Sequence, residues 1–182
     1  MRAIVAILVT ILSAVNVSAQ TIQSPAEAFG HEVGADFKLI PYPEVLAYLE
    51  QVADRSDRVS IEHAGVSTLG HPRKVVVLTS PENQQNLDRL REVSRLLAKP
   101  GGLSAEESRS LIDEGKVIAL VTCTIHSTEV GSTQMVTEFV YDFATTSDPE
   151  KLAWMDEAVL LVMPSINPDG QHMVVDWYNR CL

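Results

Sequence analysis

Basic residues are scarce in this sequence, and the scarcity excludes one large class of proteins. The 182 residues include 14 lysines and arginines against 24 aspartates and glutamates, for a formal net charge of −10. Proteins that follow the phosphates of nucleic acids need clustered lysine and arginine. The composition therefore predicts a protein that does not bind nucleic acid.

Cysteine is also scarce, because Cys123 and Cys181 are the only two thiols. Cys123 lies inside an apolar strand pattern, and Cys181 is one residue from the end. We interpret them as a buried small side chain and a tail thiol rather than as a disulfide, although an exported protein permits one.

The apolar run at the amino terminus is too short to be a typical membrane span. Arg2 precedes the run, which covers residues 3–12, and small residues at 17–19 precede Gln20. This layout predicts a cleaved signal peptide over residues 1–19, and hence a periplasmic or extracellular protein without membrane contact after cleavage. The alternative is a single membrane anchor, which the polar residues within 13–18 disfavour.

The mature chain is long enough for one domain with a sizeable core. Residues 20–58 read as an amino-terminal helical extension, with Ser24 and Glu27 at capping-box spacing and apolar residues in helical phase over 43–52. Further helices are predicted over residues 82–98 and 104–114. The intervening strand patterns, "RVSIEHAG" and "KVVVLTS", predict an antiparallel hairpin.

Two continuous apolar runs, "KVIALVTCTI" and "EAVLLVMPSI", follow with a helical pattern between them. Runs that are apolar at every position indicate parallel strands covered on both faces, so this part reads as a βαβ unit. Ser147 and Glu150 predict the capped start of a second short helix before the last strand. The fold class is therefore α/β.

His126 and Glu129 follow the first of these strands and are the candidate metal ligands. Residues at positions i and i+3 of a turn point the same way, so an imidazole nitrogen and a carboxylate can reach one ion. Ligands in α/β sheets bind beyond the carboxyl ends of parallel strands. The pair alone is weak evidence, because the chain holds 5 histidines and many acids.

A second distinctive loop, Asn167-Pro168-Asp169-Gly170, follows the other strand of the unit. Its composition is that of a type I turn. If the two parallel strands are neighbours, this turn and the His126–Glu129 loop lie side by side.

With both loops in view, the chain resembles the zinc metallocarboxypeptidase family, the relatives of carboxypeptidase A, and most of all its exported bacterial members. "IHSTEVG" and "PSINPDGQ" match the family's His-x-x-Glu and Asn-Pro-Asp-Gly motifs in order and separation. The resemblance implies a three-layer αβα zinc-exopeptidase fold with a mixed sheet, one Zn²⁺ held by His126 and Glu129, and hydrolysis at the C-terminus of a peptide or protein substrate. Residues 167–170 become a structural turn beside the site.

The chain departs from the family after this point. The third zinc ligand and the general-base glutamate of the family lie far beyond the His-x-x-Glu motif, whereas 53 residues follow Glu129. His172, the one later histidine, reads as a solvated turn residue. The third ligand and the catalytic base are therefore expected to be absent, and residues 59–182 to be the amino-terminal half of the catalytic domain. We expect weak or no zinc binding and no peptidase activity from this chain alone.

The resemblance also predicts the sheet. The first four strands of the family stand in the order one, two, four, three, and here only those four are expected. The strand before His126 then forms an apolar, unpaired edge that favours self-association. Two alternatives remain open: an exported non-catalytic binding protein that keeps half of the fold, and a related zinc deacylase with the same His-x-x-Glu motif.

Overall fold

A mixed four-stranded sheet organises residues 21–182, the part of the chain that the computed structural model describes. The predicted signal peptide, residues 1–19, lies outside the described residues. The strands are β1 (Val59–Val66), β2 (Pro72–Leu78), β3 (Val117–Thr122) and β4 (Ala158–Met163). Their spatial order is β1-β2-β4-β3, with β3 and β4 parallel and the other two pairs antiparallel. The predicted hairpin, βαβ unit and strand order are confirmed.

Eight helices accompany the sheet within the described residues: α1 (Pro25–Phe29), α2 (Tyr42–Ala53), α3 (Pro81–Gln85), α4 (Leu87–Ala98), α5 (Ala105–Glu114), α6 (Val130–Thr145), α7 (Pro149–Glu157) and α8 (Pro168–Cys181). The capping boxes predicted at Ser24 and Ser104 are both formed. From Thr21 onward, no helix combines the length and the apolar character needed to cross a membrane.

Two predicted helix boundaries are wrong. The helix expected over residues 82–98 is interrupted at Asn86, whose φ of −113° and ψ of 13° leave the helical region. Its side-chain amide donates to the Glu82 carbonyl at 2.9 Å and satisfies that end of α3. Asp148, not Ser147, caps α7, because its carboxylate accepts the Glu150 N–H at 2.9 Å.

The main core lies between one face of the sheet and the pair α2 and α6. The N-terminal segment contributes to it directly, since Leu49 of α2 is fully buried against strand and α6 residues. The buried aliphatic members are Ile40, Val45, Leu49, Val52, Val59, Val76, Leu78, Val136, Val140 and Val162. Alternate residues of β2 and β4 thus face α2 and α6, as the two-residue period of a strand requires.

The opposite face of the sheet is covered less completely. Val77 and Val159 pack beneath Leu90 of α4. Beside them an open apolar groove of about 290 Å³ reaches Ile118 on β3. The core on this side is therefore thin compared with the α2 and α6 side.

Strand β3 is one edge of the described sheet, and its apolar side chains are exposed. Val117 is 67% exposed and Leu120 is 62% exposed, although both belong to a continuous apolar strand. Only β4 pairs with β3 among the described strands, so the outer row of its peptide groups has no strand partner there. The open apolar edge expected from the sequence is present.

Candidate functional site

The loop that carries His126 and Glu129 leaves the carboxyl end of β3 and leads into α6. Backbone pairing continues briefly past the strand, since Cys123 N–H donates to the Met163 carbonyl at 3.0 Å and its carbonyl accepts the Ile166 N–H at 2.9 Å. A turn then closes between His126 and Glu129, where the Glu129 N–H donates to the His126 carbonyl at 3.0 Å. This turn brings both side chains to one side.

The two candidate ligands contact each other and face solvent. His126 Nδ1 lies 2.8 Å from Glu129 Oε1, and the His126 N–H donates to Glu129 Oε2 at 2.9 Å. Their side chains are 75% and 47% exposed. The bond with the His126 ring, together with that backbone bond, lowers the pKa of Glu129, so the carboxylate is anionic at neutral pH.

Thr124, at the start of this loop, has a strained backbone conformation. Its φ of 48° lies in the left-handed region, which is costly for a β-branched residue. The buried hydroxyl donates to the Glu129 carbonyl at 2.8 Å and lies 2.7 Å from Thr133 Oγ1, while the backbone N–H donates to Ser132 Oγ at 3.1 Å. The first turn of α6 therefore stabilises the strained residue and holds the backbone of Glu129.

The donor set fits part of a zinc site. A neutral imidazole nitrogen and a carboxylate are ordinary zinc ligands, and a catalytic zinc needs three protein ligands with one open position. Among residues 21–182, no third His, Cys, Asp or Glu joins this pair in a group that could hold a metal ion. The described residues thus offer two ligands and no complete site.

His172 does not complete the pair, and its interpretation as a solvated turn residue is wrong. It lies in α8, with Nε2 3.2 Å from Asp176 Oδ2 and its ring centroid 4.5 Å from that of His71. The side chain is 33% exposed. His172 and Asp176 are four residues apart, which places them on one face of a helix. The sequence indicates the contact between them only once residues 168–181 are known to be helical.

Residues 167–170 lie beside the His126 loop as expected, but their interpretation as a type I turn is wrong, because they begin α8. Asn167 is the N-cap, and its Oδ1 accepts the Gly170 N–H at 3.1 Å. Pro168 occupies the first helical turn, where its missing N–H costs nothing. The signal was present in the sequence, because an N-cap asparagine before proline is as typical of a helix start as of a turn.

Asp169 makes polar contacts with the loop between β1 and β2 that the sequence did not indicate. Its carboxylate accepts hydrogen bonds from the Ser67 hydroxyl and, at 3.1 Å, from the Leu69 N–H in the loop between β1 and β2. The Ser67 bond is the main reason that the pKa of Asp169 is lowered, and Leu69, His71 and Arg73 add to it. Asp169 therefore ties the start of α8 to the hairpin loop.

Comparison with known proteins identifies a family and two similar folds. Residues 45–181 match a family model described as zinc carboxypeptidase. The fold is similar to the crystal structure of carboxypeptidase A from Helicoverpa armigera, with a TM-score of 0.52 and 18% identity over 84% of this chain and 32% of that one. It is also similar to thrombin activatable fibrinolysis inhibitor, with a TM-score of 0.51 and 14% identity over 83% of this chain and 32% of that one.

The chain thus spans about a third of the length of these two structures. A search of curated proteins found no match. At such low identity the two structures support the fold, whereas the family match extends over most of the sequence. The chain belongs to the zinc carboxypeptidase family.

Proposed function

We propose that the loop from His126 to Glu129 supplies two zinc ligands to an exported metallocarboxypeptidase of the bacterial type. The supporting observation is the approach of His126 Nδ1 to Glu129 Oε1, 2.8 Å apart, at the carboxyl end of a parallel strand. A bound zinc ion would polarise the scissile carbonyl and lower the pKa of a bound water. The substrate is the C-terminal end of a peptide or protein, and the export rests on the signal pattern of residues 1–19.

The described residues contribute ion binding and not the complete reaction. His126 offers its ring nitrogen and Glu129 an anionic carboxylate, which together fill half of a four-coordinate ion. Among residues 21–182, no third ligand joins this pair. We therefore expect the 182-residue chain alone to bind zinc weakly and to release no C-terminal amino acid.

Zinc titration of the purified chain tests this proposal, with hydrolysis of C-terminal peptide bonds measured in parallel. His126→Ala and Glu129→Ala are each expected to weaken Zn²⁺ binding at least about tenfold, because each removes one of two ligands. His63→Ala is the control, since His63 is an exposed histidine on β1. Equal zinc affinity in the wild type and His126→Ala would exclude the half-site, and turnover by the wild type would contradict the expected inactivity.

We also propose a second function, a non-catalytic protein that self-associates through β3. Antiparallel pairing of two copies about a two-fold axis at Ala119 places Val117 opposite Val121 and Ile118 opposite Leu120, on matching faces of the joined sheet. These pairs are apolar throughout, and cross-strand pairs of this kind stabilise a sheet. The second copy would satisfy the outer peptide groups of β3.

Sedimentation analysis of a lysine substitution distinguishes this second function. Leu120→Lys places a charge on the edge strand and is expected to give a monomer where the wild type is a dimer. Ile112→Lys is the matched control, because Ile112 has the same exposed fraction, 62%, but belongs to α5 and not to β3. A monomeric wild type at about 100 μM would rule out self-association as a function, since specific dimers form at lower concentrations.

A further inference from the structure

We infer that the first turn of α8 positions the zinc ligand His126, with Asn167 and Gly170 as the positioning residues. The inference rests on the proposed zinc-binding role of the loop. Its basis is that α8 contacts the residue on each side of His126. The residue before it, Ile125, accepts a hydrogen bond from Asn167. The residue after it, Ser127, packs against Gly170.

The Asn167 side chain makes two different hydrogen bonds at once. Its Oδ1 accepts the Gly170 N–H at 3.1 Å and caps α8, while its Nδ2 donates to the Ile125 carbonyl at 3.2 Å. Only the second bond reaches the loop that carries His126 and Glu129. Asn provides both an acceptor and a donor, whereas Asp, another good capping residue, provides acceptors alone when ionised.

Gly170 allows α8 to approach the loop closely. A Cβ atom at this position would lie 2.1 Å from Ser127 Oγ and 3.0 Å from Ser127 Cβ. Its φ is not positive, so the glycine serves close packing and not an unusual backbone conformation. Ser127 therefore occupies the space that any larger residue at position 170 would fill.

The two ligands are consequently held from different helices. The start of α6 holds the Glu129 carbonyl through Thr124, and the start of α8 holds both neighbours of His126. Ile125 is 61% exposed, so packing alone does little to fix the backbone beside His126. Among the described contacts, Asn167 provides the hydrogen bond to the Ile125 carbonyl.

Asn167→Asp separates the capping role from the positioning role. The carboxylate still caps α8 and is favourable near a helix N-terminus, but it cannot donate to Ile125 and repels that carbonyl. In the 182-residue chain we expect a melting temperature close to that of the wild type, about tenfold weaker Zn²⁺ binding, and shifted amide resonances over residues 125–129 without metal. Asn167→Ser, whose shorter side chain caps α8 and leaves the Ile125 carbonyl out of reach, is expected to give the same pattern more weakly.

Asn179→Asp is the matched control. Asn179 lies at the other end of α8, and its Nδ2 also donates to a carbonyl, that of Leu39, at a distance of 3.2 Å. It should leave the loop resonances and zinc affinity unchanged. Unchanged loop resonances in both Asn167 variants would overturn the inference, as would a zinc affinity equal to a measurable wild-type value. Shifted resonances in a chain whose wild type binds no zinc would contradict the expected weak binding by this chain and leave the positioning of His126 standing.

Discussion

Asn83→Asp is expected to lower the free energy of unfolding by about 3 kcal/mol or more at neutral pH, the range for a buried unpaired charge. Asn83 is 6% exposed, and its Nδ2 group lies within hydrogen-bonding distance of three oxygens: Thr79 Oγ1 at 3.0 Å, the Met155 carbonyl at 3.0 Å and the Asp156 carbonyl at 3.1 Å. A carboxylate in the same place would donate to none of them and would repel the two carbonyl oxygens. The start of α3 would then lose its side-chain bonds to the end of α7 and keep the backbone bond from the Ser80 N–H to the Met155 carbonyl.

The effect of Asn83→Asp should depend on pH in a defined direction. Burial among carbonyl oxygens raises the pKa of the introduced carboxyl above its value in the unfolded chain. The destabilisation is therefore smallest below pH about 4, where the group is protonated in both states, and grows as the pH rises towards the folded-state pKa.

Urea unfolding of the variant and the wild type at pH 4 and pH 7 measures this difference. Asn86→Asp is the control, because Asn86 is exposed and its side chain donates one bond, to the Glu82 carbonyl at 2.9 Å. Its effect should remain within about 0.5 kcal/mol, as at most surface positions. A pH-independent difference between Asn83→Asp and the wild type would show that the carboxylate finds a partner or reaches solvent.

Leu49→Ala is expected to lower the free energy of unfolding by about 3 kcal/mol, because Leu49 has no exposed surface and its truncation leaves a cavity. Leu49 lies in α2, within the segment predicted as an amino-terminal extension. The large effect would follow from its packing in the same core as β2 and α6. Chemical denaturation with a single cooperative transition measures it.

Ile112→Ala on α5 provides the comparison, since Ile112 is 62% exposed and alanine is the better helix former. Its free energy of unfolding should remain within about 0.5 kcal/mol of the wild type. If Leu49→Ala cost no more than Ile112→Ala, α2 would be a separately melting appendage and not a part of the main core.

Local patterns in the sequence were sufficient for much of the fold. The capping boxes at Ser24 and Ser104 involve residues three apart, and the two apolar runs of the βαβ unit carry their own strand signal. The pairing of His126 with Glu129 is of the same kind, because one turn determines it. The strand order, in contrast, came from the resemblance to the family and not from periodicity.

Contacts between distant segments could not be predicted in this way. Ser67 meets Asp169 only because the hairpin loop and the start of α8 lie at one end of the sheet. Asn167 is consistent with both a turn and an N-cap, and the helical continuation after it decides between them. Threonine is an ordinary strand former, so the sequence does not indicate the left-handed φ of Thr124. This φ results from the polar groups at the start of α6.

The strand order has a consequence for synthesis on the ribosome. β4 is made last of the four strands, yet it lies between β2 and β3. β2 ends at Leu78 and β3 at Thr122, so both must wait for residues 158–163 before they share a sheet. Until then only the β1–β2 hairpin has a strand partner, and the apolar β3 depends on α6 or a chaperone for protection. Formation of the sheet, with its long-range pairing, should accordingly be slow.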